Sequence, residues 1–187
     1  MVRLRNFKMT EEERLIYNKY KKSMPFKVVE FSNEIGVTVL LDKDMDIDET
    51  GFIEFDDNKY YIVINKKESE ERNRFIIALR LGYYFYNKEY LKEYGTIKDF
   101  YPVTIYDPII NKMYRNAFNF AAELRVPKYI LKKKYSDKEI NLDFNKSLLV
   151  QLIRNRTKKI ERLAKYFNVP TSIIEYVINQ LYLFQTF

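Results

Sequence analysis

Residues 72–87 read Arg72-Asn-Arg-Phe-Ile-Ile-Ala-Leu-Arg-Leu-Gly-Tyr-Tyr-Phe-Tyr-Asn87, and this stretch decides the fold class. Ser69 can cap a helix that we expect over about residues 70–87. Apolar side chains occur on nearly every side of that helix, which is typical of a helix buried in a core. Arg80 interrupts the apolar run and needs either water or an acidic partner, because an unpaired buried charge is costly. Glu123 is one candidate partner, and solvation in an open cleft is the alternative.

A second motif lies at residues 116–127 and reads Asn116-Ala-Phe-Asn-Phe-Ala-Ala-Glu-Leu-Arg-Val-Pro127. It falls in a predicted helix over about residues 109–125, which Pro127 ends. Small residues on this helix, Ala117 and Ala121 among them, permit close packing against the buried helix. We therefore expect the two motifs to meet in the core.

The first third of the chain predicts two helices followed by a small sheet. A capping box at Thr10-Glu-Glu-Glu13 begins the first helix, and Pro25 closes it. The second helix covers about residues 26–35 and ends at Gly36. Three short runs rich in β-branched and aliphatic residues predict strands. These strands cover residues 37–41, 51–55 and 59–65, and Asp56-Asp-Asn58 joins the last two as a hairpin.

The last third of the chain predicts only helices. They cover about residues 128–135, 144–154, 157–167 and 171–183. The last two, joined by a turn at residues 168–170, have the form of a helix-turn-helix. However, the final helix carries no Lys or Arg, which argues against a DNA-recognition helix. Its apolar residues exceed what one buried face needs, which favours a protein interface. They are Ile174, Val177, Ile178, Leu181, Leu183 and Phe184.

Both motifs resemble those of the ImmA/IrrE family of metallopeptidases. Residues 74–84 are similar to its R-F-T-I-A-H-E-L-G-H-Y, and residues 116–127 to its E-A-N-x-F-A-A-x-L-L-M-P. The resemblance implies an α+β fold: a zincin-like helical core with a small three-stranded sheet and a C-terminal helical segment. It also implies a division into a degenerate metallopeptidase-like domain at 1–135 and the helical segment at 136–187.

The chemically active positions of the family pattern are all changed in this chain, which contains no histidine and no cysteine. The resemblance places Leu79, Arg80 and Tyr83 at the H-E-x-x-H positions and Asn116 at the third zinc ligand. Leucine has no lone pair, tyrosine is a poor zinc ligand, and arginine cannot deprotonate to act as a base. We therefore expect no catalytic residue, no metal and no other cofactor, as in an inactive pseudo-peptidase.

The resemblance also implies a role in regulation. Enzymes of the family act on repressors of mobile elements or stress responses. We accordingly expect binding to a protein, such as a phage or mobile-element repressor or a related regulator.

The alternative is a nucleic-acid-binding regulator, because the formal net charge is +7. The candidate contacts are Arg154, Arg156, Lys158, Lys159 and Arg162. AT-rich codons can also supply much of the lysine, so a solvated basic face is the favoured interpretation. Any nucleic-acid contact should then be weak and independent of sequence.

The N-terminal residues lack the apolar run of a signal peptide, and no stretch reaches the roughly 18 apolar residues of a membrane span. The sequence therefore predicts a cytoplasmic protein without membrane contact.

Overall fold

The computed structural model describes residues 8–46, 49–98, 108–136 and 148–183, and eight helices and four strands lie within them. The helices are α1 (Glu11–Tyr20), α2 (Val28–Glu34), α3 (Glu70–Tyr86), α4 (Lys88–Tyr94), α5 (Pro108–Arg125), α6 (Lys128–Ser136), α7 (Leu148–Phe167) and α8 (Thr171–Leu183). The strands are β1 (Val37–Asp42), β2 (Gly51–Asp56), β3 (Lys59–Asn65) and β4 (Thr96–Lys98). This arrangement confirms the predicted α+β class. No helix in the described ranges is long and apolar enough to span a membrane.

The sheet has the strand order β1-β3-β2-β4. β1 runs parallel to β3, whereas β2 is antiparallel to both β3 and β4. Asp57 and Asn58 form the β2–β3 turn with φ angles of 44° and 58°. These positive angles suit a tight hairpin and confirm the predicted one. The three predicted strands are present, and β4 adds a fourth, three-residue edge strand to the sheet.

Helix α3 forms the centre of the core. The Ser69 side chain accepts a hydrogen bond from the Arg72 backbone N–H, as the predicted cap requires. Every residue from Phe75 to Phe85 is buried. The helix crosses α5 at Gly82, where an added Cβ atom would lie 2.5 Å from the Ala117 Cα atom. The predicted close approach of the two motifs is therefore confirmed, and it leaves no room for a side chain on Gly82.

Glu13 links α1 to the C-terminal end of α3. Its carboxylate completes the capping box with Thr10, and it accepts hydrogen bonds from the Tyr84 hydroxyl at 2.9 Å and the Lys88 ammonium at 2.8 Å. Burial alone raises the pKa of Glu13. The hydrogen bonds from Lys88, Thr10 and Tyr84 outweigh burial and lower the pKa below its ordinary value. The buried carboxylate is therefore held in its charged form.

Arg125 joins three separate parts of the chain at the end of α5. Its side chain is fully buried, and burial lowers its pKa to about 10. The guanidinium donates to the Phe26 carbonyl before α2 and to the carbonyls of Phe167 and Asn168 at the end of α7. The C-terminal helices thus pack into the same hydrophobic core as the N-terminal helices. The division predicted between residues 135 and 136 stays a prediction.

Two helical predictions need correction. Residues 88–94 follow the helix predicted to end at about residue 87, and they form a further helix, α4, that was not predicted. Helix α4 buries only Leu91 and so has little apolar periodicity. The predicted break between residues 154 and 157 is wrong, because α7 continues through it. No Gly or Pro occurs there to interrupt the helix. Residues 144–147 of the predicted helix lie outside the described residues.

We predict that Gly82→Ala destabilises the protein by about 2 kcal/mol, because the new methyl group would push against the α5 backbone. In an ordinary helix interior the same change stabilises by up to about 1 kcal/mol. Urea unfolding measures the difference. Gly95→Ala is the comparison for backbone strain without a clash, because nothing lies within 4 Å of its added Cβ atom and its cost comes from its positive φ of 78°. A Gly82→Ala variant as stable as the wild type would contradict the tight crossing.

Candidate functional site

The four positions that the resemblance places at the family's zinc site lie at the crossing of α3 and α5. Leu79, Arg80 and Tyr83 are on α3 with 7%, 0% and 1% exposure. Asn116 is half-buried on α5, directly before Ala117, whose backbone meets Gly82. We call these four residues the relict site. The structure thus brings together the motifs that carry them.

Arg80 is the largest fully buried side chain at the relict site, so the solvated-cleft alternative is wrong. Its Nη2 atom donates to the Gly51 carbonyl oxygen at 2.5 Å. Its Cζ atom lies 5.8 Å from the centre of the Tyr83 ring. The guanidinium therefore lies in the protein interior between the start of β2 and the ring one helical turn further along α3.

Glu123, the candidate acidic partner for Arg80, interacts with Lys128. Burial raises the pKa of its carboxyl, and the charge and backbone N–H of Lys128 partly offset this. Lys128, at the start of α6, is thus the cation that acts on this carboxyl. Arg80 donates a hydrogen bond to a backbone carbonyl 29 residues away in sequence.

Gly51 is the residue that the sequence analysis missed. Its φ of 148° is unfavourable for residues with a side chain, and an added Cβ atom would lie 2.5 Å from the Val63 carbonyl oxygen. Glycine therefore lets β2 begin tightly against β3 with its carbonyl facing Arg80. The only sequence signal was a glycine at the start of a predicted strand, which does not identify the donor.

The side chains at the relict site do not fit a zinc ion. A catalytic zinc needs three lone-pair ligands and an open position. Leu79 supplies none, the Tyr83 phenol is buried, and Arg80 places a permanent positive charge beside it. Within the described residues, no three His, Cys, Asp or Glu side chains converge on one point. The arrangement offers packing and one buried donor, and no general base.

The family model of the IrrE N-terminal-like domain, a peptidase family, matches residues 33–179. The chain belongs to this family. No curated protein matches the chain. The match covers both motifs, the whole sheet and most of α8, so the IrrE N-terminal-like domain extends into the C-terminal helices.

The candidate nucleic-acid contacts are partly exposed in this IrrE-like domain. Arg156, Lys158 and Arg162 are exposed on α7, whereas Lys159 is half-buried. Arg154 lies in α7, but its side chain is outside the described residues. Three of the five predicted cations are thus available to solvent.

Helix α8 buries the first three members of the apolar set from which the sequence predicted an exposed surface. Ile174, Val177 and Ile178 are buried, together with Ile173, because they pack into the common core. The side chains of residues 181–184 lie outside the described residues. A protein interface on α8 therefore cannot be built from Ile174, Val177 or Ile178.

We predict that Arg80→Glu, which restores the family's residue alone, destabilises the protein by about 3–5 kcal/mol. The new carboxylate would be buried opposite the Gly51 carbonyl oxygen, without the donor that now satisfies it. Arg80→Met, which fills similar volume without charge, should cost much less. Arg72→Glu, on the exposed first turn of α3, is the control. Chemical unfolding ranks the variants, and equal stability of Arg80→Glu and Arg72→Glu would show that Arg80 is not buried.

Proposed function

We propose that this protein is a non-catalytic member of its family that acts by binding another protein. The partner we propose is a repressor of a phage or mobile element, or a related regulator. The observation that carries this proposal is the fully buried Arg80 guanidinium at the position of the family's general base. A chain without histidine supplies no substitute ligand pair around it.

The chemistry of the relict site supports binding of a partner protein rather than its cleavage. Metal-assisted peptide hydrolysis needs a metal-activated water and a base to take its proton. Arg80 donates hydrogen bonds and offers no lone pair with which to act as that base. Leu79 and Tyr83 belong to the core and present no reactive group to solvent. What the domain retains is its family shape, which supports recognition of the family's class of protein partner.

Strand β1 supplies a surface suited to a protein partner. Among the described residues, β1 pairs with β3 and with no other strand, so it is an edge strand of the sheet; the Val39 N–H of this strand donates to the Asn33 side chain at 3.4 Å. Leu40 and Leu41 on this strand are 44% and 60% exposed. Partners commonly add a strand to such an edge and place apolar side chains beside it. We assign the partner's contact to this edge.

We predict that the purified protein takes up no stoichiometric zinc and cleaves no peptide. The variant Leu79→His/Arg80→Glu/Tyr83→His/Asn116→Glu should gain zinc affinity, since it restores three ligands at one crossing. Elemental analysis and titration with zinc measure both proteins. The same variant with Asn116 retained is the control and should bind more weakly. A folded quadruple variant that binds no zinc at saturation would contradict the assignment of the relict site.

We predict that Leu40→Lys/Leu41→Lys abolishes capture of the protein partner, because charges on the strand edge oppose strand addition. Cross-linking pull-downs from the native host compare it with the wild type, before and after nuclease treatment. Leu15→Lys, at an equally exposed leucine on α1, is the control and should retain the partner. Nuclease-sensitive capture, unchanged by the β1 substitutions, would contradict protein binding through β1 and favour the nucleic-acid alternative.

A further inference from the structure

Helices α6 and α7 form a surface that carries positive charge and aromatic rings together. Lys132, Lys133 and Lys134 are all exposed on α6. The Lys134 ammonium lies 4.9 Å from the centre of the Tyr166 ring on α7. This contact joins the last lysine of the run on α6 to the face of α7 that carries Tyr166. We call the resulting set the α6–α7 surface: Tyr129, Lys132, Lys133, Lys134, Arg162 and Tyr166.

The two tyrosines of the α6–α7 surface present rings to solvent. Tyr129 is 55% exposed and Tyr166 is 39% exposed. The Tyr166 ring also packs edge-on against the fully buried Phe167, with ring centres 5.0 Å apart. Tyr166 is therefore held in position by the core while part of its ring stays accessible. Rings held among cations are suited to stacking on a flat, anionic ligand.

Few acidic side chains occur on the described parts of α6 and α7. Glu161 is the one acid between Arg156 and Phe167 on α7, and it lies about 140° around the helix from Tyr166. It lines a different cleft, together with Glu71 of α3, Lys165 and Thr171. Helix α6 itself contains no Asp or Glu. On the described parts of these two helices the cations therefore outnumber the acids, and Glu123 of α5 is the acid beside Lys128 at the start of α6.

We propose that the α6–α7 surface binds single-stranded nucleic acid without sequence preference. The lysines and Arg162 would contact successive phosphates, and Tyr129 and Tyr166 would each stack on an unpaired base. In a duplex the faces of the bases are stacked on one another. A duplex would therefore contact only the cations of the surface, through its phosphates. Helix α8 does not add duplex recognition, because it contains no Lys or Arg and buries Ile174 and Val177 in the core.

Fluorescence anisotropy on the full chain tests this proposal, with labelled 20-nucleotide poly(dT), poly(U) and a 20-base-pair duplex across a salt series. Both single strands should bind at least fivefold more tightly than the duplex at one salt concentration. The ratio between poly(dT) and poly(U) identifies whether DNA or RNA is the preferred source of the single strand. Affinity should fall steeply with salt, as the release of counterions requires.

Two variants separate charge from stacking. Lys132→Gln/Lys133→Gln/Lys134→Gln should weaken binding about tenfold or more and reduce the salt slope. Tyr129→Leu/Tyr166→Leu should weaken single-strand binding about tenfold, leave the salt slope unchanged and leave duplex binding unaffected. Lys43→Gln/Lys59→Gln/Lys66→Gln is the control with the same change in net charge at exposed positions elsewhere, and it should have little effect.

Circular dichroism and thermal unfolding should show that each variant is folded, and the lysine variant still tests the surface if the tyrosine variant unfolds. The proposal is overturned if single strands do not bind at low salt. It is also overturned if the control weakens binding as much as the α6 lysine variant. Equal affinity for duplex and single strands, together with no effect of the tyrosine variant, would overturn the stacking contacts.

Discussion

The close crossing of α3 and α5 is the constraint on which the rest of the structure depends. Gly82 contributes no side chain and Ala117 only a methyl group, so the two helix backbones come into direct contact. That contact fixes the depth at which α3 is buried. It also fixes which α3 residues face the sheet. In a zinc peptidase of this family the same crossing would bring ligands on two helices to one metal ion, and here it brings core residues together instead.

At the relict site a different interaction joins the helices to the sheet. A buried guanidinium is costly unless its donors are satisfied, and the Gly51 carbonyl takes one of them. Arg80 thereby links the middle of α3 to the beginning of β2. Arg125 plays a comparable part at the end of α5, where it donates to carbonyls of three residues from distant segments. Two buried arginines thus link helices α3 and α5 to distant segments through hydrogen bonds to backbone carbonyls.

The elements with strong local signals were predictable from the sequence. The two motif helices, the β2–β3 hairpin and the bounds of α8 follow from caps, apolar periodicity and turn residues. Helix α4 and strand β4 were missed because one buried leucine and a three-residue strand give almost no pattern, and β4 depends on pairing with β2 far away in sequence. The family resemblance located Leu79, Arg80, Tyr83 and Asn116. The partner of Arg80 was not predictable, because any backbone carbonyl can accept its hydrogen bond and only the tertiary fold selects Gly51.

We propose that the buried Arg80 side chain fills the place of the metal centre. Diffraction from crystals grown with excess zinc, measured on both sides of the zinc absorption edge, tests it most directly. The account predicts electron density for the Arg80 guanidinium against the Gly51 carbonyl and no anomalous peak among Leu79, Tyr83 and Asn116. An anomalous peak coordinated there, with Arg80 displaced from Gly51, would contradict it.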